Sequence, residues 1–357
     1  MFRNVFIFAG SLIGFLVSQS VSAQTPAAGT PPPSANPPPP PIADLTPVEL
    51  PDRSRCNSPI DCVTCNNQPP AILTSAEYIL VRPRRRENDY AIIDPTNNLT
   101  PEGSIRNVPF DTTGAFRVGA GYRPGGTPWE VMFTYMYLHD GNDRSAAAPP
   151  GGTLYATQTR PGLVDNVLFA LGSNSLTMNV YDLETARQFQ IDDTFTFRLG
   201  FGTRFADVDQ TIRAFYFGGD ANGAAVRSRV SFDGGGITVG GQGDWLVWRG
   251  IRLFGRGRAS LLMADFSNHL TETDNGGRTV NANVREHYFQ TVPVLELATG
   301  VAWEYRNLRV AVGYELQNWF NTVDSPTFVD DFAEGKLGRR KSDLGLEGIF
   351  VQLGLAF

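Results

Sequence analysis

From residue 71 to the C-terminus, apolar and polar positions alternate with a period of two, the spacing of β-strands. "GAFRVGAGYR" (114–123) puts Phe116, Val118, Ala120 and Tyr122 on one face and Arg117 and Arg123 on the other. "WEVMFTYMYL" (129–138) aligns Trp129, Val131, Phe133, Tyr135 and Tyr137. In "LTMNVYDLETARQFQ" (176–190), Tyr181 and Leu183 oppose Asp182 and Glu184, and in "TFTFRLGFGTRF" (194–205) five apolar positions oppose Arg198 and Arg204. The same alternation runs through 72–82, 229–247, 251–263, 288–305, 308–320 and the last stretch, "GLEGIFVQLGLAF". There Ile349, Val351, Leu353, Leu355 and the terminal Phe357 share one face. Pro293 inside its strand predicts a local bulge.

These strands number about ten, an even count within the range of bacterial outer-membrane barrels, where eight to twelve would fit the pattern. Connections near 124–128, 191–193, 248–250 and 306–307 are short, whereas 83–113, 139–175, 206–228, 264–287 and 321–344 read as long loops rich in Gly, Asn, Asp and Pro. Short turns on one side and long loops on the other match a membrane barrel with both termini in the periplasm. A soluble sandwich or lipocalin-like barrel shows the same alternation but turns its apolar face inward.

Three features favour the inverted, membrane-embedded arrangement. "MFRNVFIFAGSLIGFLVSQSVSAQ" has a basic start at Arg3, an apolar run and small residues at Val21 and Ala23, the pattern of a secretory signal cleaved after Ala23. The run is short for a membrane anchor, and Gln24 rather than Cys follows the expected cleavage point. Trp129, Tyr137, Trp303 and Tyr305 near strand ends suit aromatic girdles. Phe357 ends the chain as expected of a closing strand delivered to the outer-membrane barrel insertion machinery. The expected fold is thus all-β: a transmembrane antiparallel up-and-down β-barrel over 71–357, facing outer-membrane lipid. Residues 1–23 are the expected signal peptide, and 24–70 a periplasmic leader.

That leader, "QTPAAGTPPPSANPPPPPIADLTPVELP" and onward, favours polyproline II and reads as disordered, with the cell wall as its conceivable contact. It contains all three cysteines, Cys56, Cys62 and Cys65; in an exported chain two of them pair as a disulfide, in an undetermined combination. A structural zinc site needs four ligands and no histidine is near, so no metal is expected. The mean hydropathy of −0.18 excludes nothing, since barrel strands average near zero. A net charge of −6 and no Lys/Arg stripe argue against nucleic acid. Lysine occurs only at Lys336 and Lys341, so nearly all positive charge is arginine, suited to fixed pairing with carboxylates.

In order along the chain, "NVYDLETARQF", "FTFRLGFGTRFADVDQTI", "IRLFGRGRASLLMADF" and "VPVLELATGVAWEY" followed by "LRVAVGYELQNWFN" resemble the Legionella-type pore-forming outer-membrane protein family. The resemblance covers 176–357 well and 71–138 more weakly, and is absent from the leader. It implies an outer-membrane barrel with channel activity, without shared catalytic residues or a cofactor.

The inward face then carries the candidate chemistry: Asp182, Glu184, Arg198, Arg204, Arg252, Arg256, Arg258, Glu296, Glu304 and Glu315. Acids on 176–190 adjoin arginines on 194–205, and arginines on 251–263 adjoin acids on 288–305, so neighbouring strands oppose charge. One reading is a narrow charged channel for small solutes or ions. The alternative is a salt-bridged lumen without a through path, in a structural or adhesive barrel whose loops bind a surface partner. "GGGITVGGQG" (234–243) lacks the Gly-Lys-Ser/Thr ending of a nucleotide loop, so its glycines are expected to mark bends or to make room for Arg or aromatic neighbours. Of the three histidines, His139, His269 and His287, the last two frame one loop and read as exposed to water, with a catalytic dyad there, near Asp265, the weaker option. "RPRRREN" (82–88) reads as a solvated charge run, with anionic sugar or lipid as its conceivable contact.

Overall fold

The computed structural model describes residues 69–96, 100–329 and 336–357. The expected signal, nearly all of the leader, and Cys56, Cys62 and Cys65 lie outside the described residues. Ten antiparallel strands close into one ring: β1 (Ala71–Arg85), β14 (Leu337–Ala356), β13 (Leu308–Phe328), β12 (Thr279–Tyr305), β11 (Ile251–Asp274), β10 (Ala221–Trp248), β9 (Phe195–Gly218), β8 (Phe169–Gln190), β5 (Trp129–Ala147) and β4 (Thr113–Arg123). Every neighbour in the ring is antiparallel, as an up-and-down barrel requires. Closure is made by β1 on β14, with Leu73 opposite Ala356. Phe357 and Ile72 complete it by exchanging backbone N–H to O bonds of 2.9 Å each.

The short turns fall where the pattern placed them. Gly250 (φ 84°) and Arg306 (φ 53°) take the left-handed conformation that tight hairpins need. At the opposite, far end two expected loops are strand instead. Residues 206–228 continue β9 into β10 with only 219–220 between them, and 264–287 continue β11 into β12 around 275–278.

The cause is an inversion of the apolar face within a continuous strand. On β9 the odd positions Phe195, Phe197, Leu199, Phe201 and Phe205 point outward. Beyond Phe205 the apolar residues are the even, inward ones (Ala206, Val208, Ile212, Ala214 and Tyr216), while Asp207, Asp209 and Arg213 face out. β10 and β11 do the same: Ile237, Val239, Leu261 and Met263 are outward, whereas Val230, Phe232, Leu262 and Phe266 are buried inside. The outer apolar band is eleven residues long on β9, from 195 to 205, matching a tilted membrane strand. Its exposed side chains, Ile237 at 69% and Met263 at 76%, need lipid rather than water.

Tyr122, Trp129, Trp245, Trp303 and Tyr305 edge the band at the turn end. Tyr78, Tyr181 and Tyr314 lie toward its far edge, where Tyr135 stacks on Tyr181 at 5.0 Å. Past that edge come Arg82, Asp207, Asp233, Asp265 and Glu347, one outward position beyond Leu80, Phe205, Gly235, Met263 and Ile349. Beyond it Phe289, opposite Asp265, and a small group at the tip, including Phe169 opposite Phe217 and Leu171 opposite Phe215, are again apolar and exposed.

Pro293 makes no bulge. It stays in register opposite Leu261, and the β12–β13 ladder instead ends beside it, at Val294 opposite Trp319. A residue without an N–H is tolerated where one flank of a strand is unpaired. The remaining long connections fold as well. β2 (Asp89–Asp94), β3 (Ser104–Asn107), β6 (Thr153–Ala156) and β7 (Asn166–Val167) form a sheet in the order β3-β2-β6-β7. It packs through Tyr90, Ala91, Leu154 and Val167 on the inward-facing Ala170, Ala214, Tyr216, Val226 and Leu270, and so fills the far mouth.

Candidate functional site

All ten charged residues expected on the inner face point into the barrel and engage in ion pairs. The expected neighbouring-strand pairs form, Arg198 and Arg204 on β9 with Glu184 and Asp182 on β8, and Arg252 and Arg258 on β11 with Glu304 and Glu296 on β12, and pairs across the lumen are added to them. Asp182 on β8 does lie opposite Arg204 on β9, and Arg204 grips it as a fork, Nε to Oδ1 at 2.6 Å and Nη2 to Oδ2 at 2.9 Å. Arg204 also reaches Glu296 on β12, three strands away in the ring. Arg258 on β11 spans to β8, holding Asp182 at 2.9 Å and Glu184 at 3.2 Å. Arg198 completes this cluster through Glu184 and Glu130, each at 2.5 Å.

A second cluster is centred on Glu315. Arg117 from β4 takes both its oxygens, at 2.7 and 3.0 Å, and Arg256 from β11 binds Oε2 at 2.6 Å. Arg117 also holds Glu77 at 2.5 Å, and Gln352 donates to Glu77 at 3.2 Å. A third cluster lies nearer the turn end. There Glu304 takes Arg252 at 2.7 Å and also Arg309, which reaches Asp244 at 2.6 Å. Arginine forks reach across the lumen because a narrow ten-stranded barrel brings opposite walls within a side chain's length.

Glu77, Arg117, Glu130, Asp244 and Arg309 belong to these clusters and were missed as candidates. Their signal was parity alone, since each stands on the polar face of its strand. Glycine creates the room. A Cβ at Gly200 would lie 2.6 Å from Glu184 Oε1, and one at Gly240 would lie 3.4 Å from the Arg258 side chain. On the outer face Gly235, Gly241 and Gly243 receive Phe205, Phe197 and Phe195, as the glycine-rich stretch implied.

The guanidinia also lie on aromatic rings: Arg204 over Trp319 at 5.8 Å, Arg256 over Phe350 at 5.6 Å and Arg309 over Phe254 at 5.5 Å. Beyond the ion pairs toward the far end comes an apolar layer. Phe232 and Phe266 meet at 5.0 Å, Phe266 stacks on Tyr288 at 5.1 Å, and Trp319 closes the group at 6.5 Å from Phe232. Leu138, Leu176, Met178, Leu262 and Val292 surround them, each fully buried. Between this layer and the capping sheet a void of about 10 Å³ remains, bordered by Arg85, Ile212, Ser228 and Leu270, about the room of one water.

Residues 67–357 match the family described as Legionella pneumophila major outer membrane protein precursor. The chain belongs to this family. Its barrel resides in the outer membrane, and the expected 71–357 boundary falls four residues inside the family match. No curated relative matches the chain. Among solved structures it is distantly similar to the outer membrane protease OmpT from Escherichia coli, at 10% identity and TM-score 0.46, covering 80% of this chain and 97% of that one. It is also similar to the translocator domain of the autotransporter NalP from Neisseria meningitidis, at 10% identity and TM-score 0.31, covering 84% and 92%. A third likeness is the Ralstonia pickettii toluene transporter TbuX, at 10% identity and TM-score 0.31, covering 82% and 90%.

The histidines of this Legionella-type outer-membrane protein lie in strands, not loops. His139 on β5 bonds Thr177 at 2.9 Å. His269 on β11 bonds Asn283 at 2.9 Å and Thr271 at 3.1 Å, with Arg285 directly opposite. His287 on β12 stands opposite Ser267. Both residues 269 and 287 were expected in a loop that is strand, for the reason of face inversion given above.

Proposed function

We propose that this outer-membrane barrel is a structural, non-catalytic surface protein whose lumen is closed to solutes. The carrying observation is the two-layer seal: transluminal arginine–carboxylate clusters, then the Phe232–Phe266–Tyr288–Trp319 layer. The clusters join eight carboxylates to seven guanidinia, a near balance that leaves little net field to select ions. Conduction along a charged constriction, the other reading of these residues, requires Arg204 and Arg258 to release Asp182 and Glu184 and the aromatic layer to part. The extended strands beyond the lipid band give the barrel a folded outer surface in place of long loops, suited to holding a surface partner. By this reading the closing strand that ends at Phe357 presents itself to the barrel insertion machinery, and the outer band contacts membrane lipid. Planar-bilayer recording of the purified full-length protein tests the proposal. Insertion without discrete channel steps is expected, whereas reproducible steps at moderate voltage would refute it.

A further inference from the structure

The segment "RPRRREN" is not a free charge run. Its first residues form the far end of β1, where they line a cavity of about 780 Å³ on the barrel wall. The cavity opens where two ladders part. β1–β14 pairing ends at Arg85 opposite Leu344, and β13–β14 pairing skips from Trp319–Leu344 to Val323–Ser342. Arg82, Arg84, Arg85, Arg86 and Lys341 line it, against one acid, Asp343, whose carboxylate already accepts the Asn321 N–H at 2.8 Å. Arg84 is paired with Glu347. Arg82 and Arg86 have no acidic partner among the described residues, whereas Arg85 is turned inward, its Nη1 donating to Gln210 at 3.1 Å.

Height decides what such a site meets. Leu80, opposite Ile349, is the last lipid-facing rung of this wall, and Arg82, opposite Glu347, is the next outward one. The cavity therefore begins at the level of the outer leaflet's headgroups. Several guanidinia with spare donors in one recess match the oxygens of a phosphate, which they bind through parallel charge-assisted bonds.

We propose that this cavity binds a phosphate group carried by the glycolipid of the outer leaflet, anchoring the barrel wall to its lipid. The inference rests on the membrane placement of the barrel and not on whether the lumen conducts. The test is native mass spectrometry of the detergent-purified full-length protein titrated with phosphorylated lipopolysaccharide, its dephosphorylated form, or inorganic phosphate. The Arg82→Gln/Arg86→Gln variant is compared with Arg213→Gln/Arg227→Gln, which removes two mutually opposed arginines from the outer wall of β9 and β10. Heat-modifiable gel mobility reports that each variant is folded. Wild type is expected to retain phosphorylated lipopolysaccharide, Arg82→Gln/Arg86→Gln to bind it about tenfold more weakly, and the β9–β10 variant to bind like wild type. Equal retention by both variants, equal binding of the dephosphorylated form, or inorganic phosphate binding as tightly as the glycolipid would each overturn the proposal.

Discussion

Arg204 is the residue on which the seal turns. It is 2% exposed, forked onto Asp182, joined to Glu296 and laid over Trp319. Removing one member of a buried ion cluster leaves its partners charged and dry, a loss of about 3–5 kcal/mol. Arg204→Met is therefore expected to destabilise the barrel by about 3 kcal/mol or more in urea unfolding in lipid vesicles. Adding Asp182→Leu should restore part of that loss, because the stranded charge goes with it. An Arg204→Met barrel as stable as wild type would show that the cluster is not closed as described. At this scale the sequence revealed the face but not the partners. Parity along a strand places Arg258 inward, yet nothing in it says that the side chain reaches across to Glu184 as well as to Glu296 beside it. Glu77 and Asp244 escaped notice for a related reason. Each is the lone charge in the membrane half of a strand whose apolar alternation is weak.

At the scale of the element, each long strand is two environments joined without a break. β10 carries Ile237 outward into lipid and, six residues earlier on the same face, Ser231, whose hydroxyl donates to Ser267 O. An arginine at mid-membrane on the lipid face costs about 2–4 kcal/mol and near an interface about 0–1 kcal/mol. Val239→Arg, opposite Phe201 at the middle of the band, is thus expected to lower folding yield into bilayers sharply while Ser231→Arg leaves it near wild type. Equal yields would contradict the assigned edge of the lipid band. The membrane halves of the strands were legible because lipid outside and charge inside give an unbroken alternation. The far halves were not. At Phe205–Ala206 the apolar positions change from odd to even with no bulge, so a reading that follows one face sees the signal vanish, and Gly218, Gly219 and Asp220 complete the appearance of a loop.

Over the whole molecule, the number of strands, their up-and-down order and the closing role of Phe357 followed from strand spacing and turn lengths. The capping sheet did not. It is assembled from 89–107 and 153–167, short segments that pair only because both connections fold into the same barrel mouth, as in Ala91 opposite Ala156. Tyr216 ties it down by donating to Tyr90 O at 2.7 Å, and Arg340 by reaching Asp89 at 3.0 Å and Thr157 O at 2.6 Å. Cap, aromatic layer and ion clusters lie in series along one lumen, so solvent is not expected to reach its middle. Thiol labelling measures this directly. With Cys56, Cys62 and Cys65 replaced by Ser, a single cysteine is placed at Ser260, buried inside against Thr238 at 3.0 Å, or at Ser145, exposed near the far end of β5. The folded barrel is treated with a small, hydrophilic, membrane-impermeant reagent. Ser145→Cys is expected to label rapidly and Ser260→Cys not at all until denaturant is added; labelling of Ser260→Cys in the folded barrel at a rate near that of Ser145→Cys would show that the lumen is open to solvent.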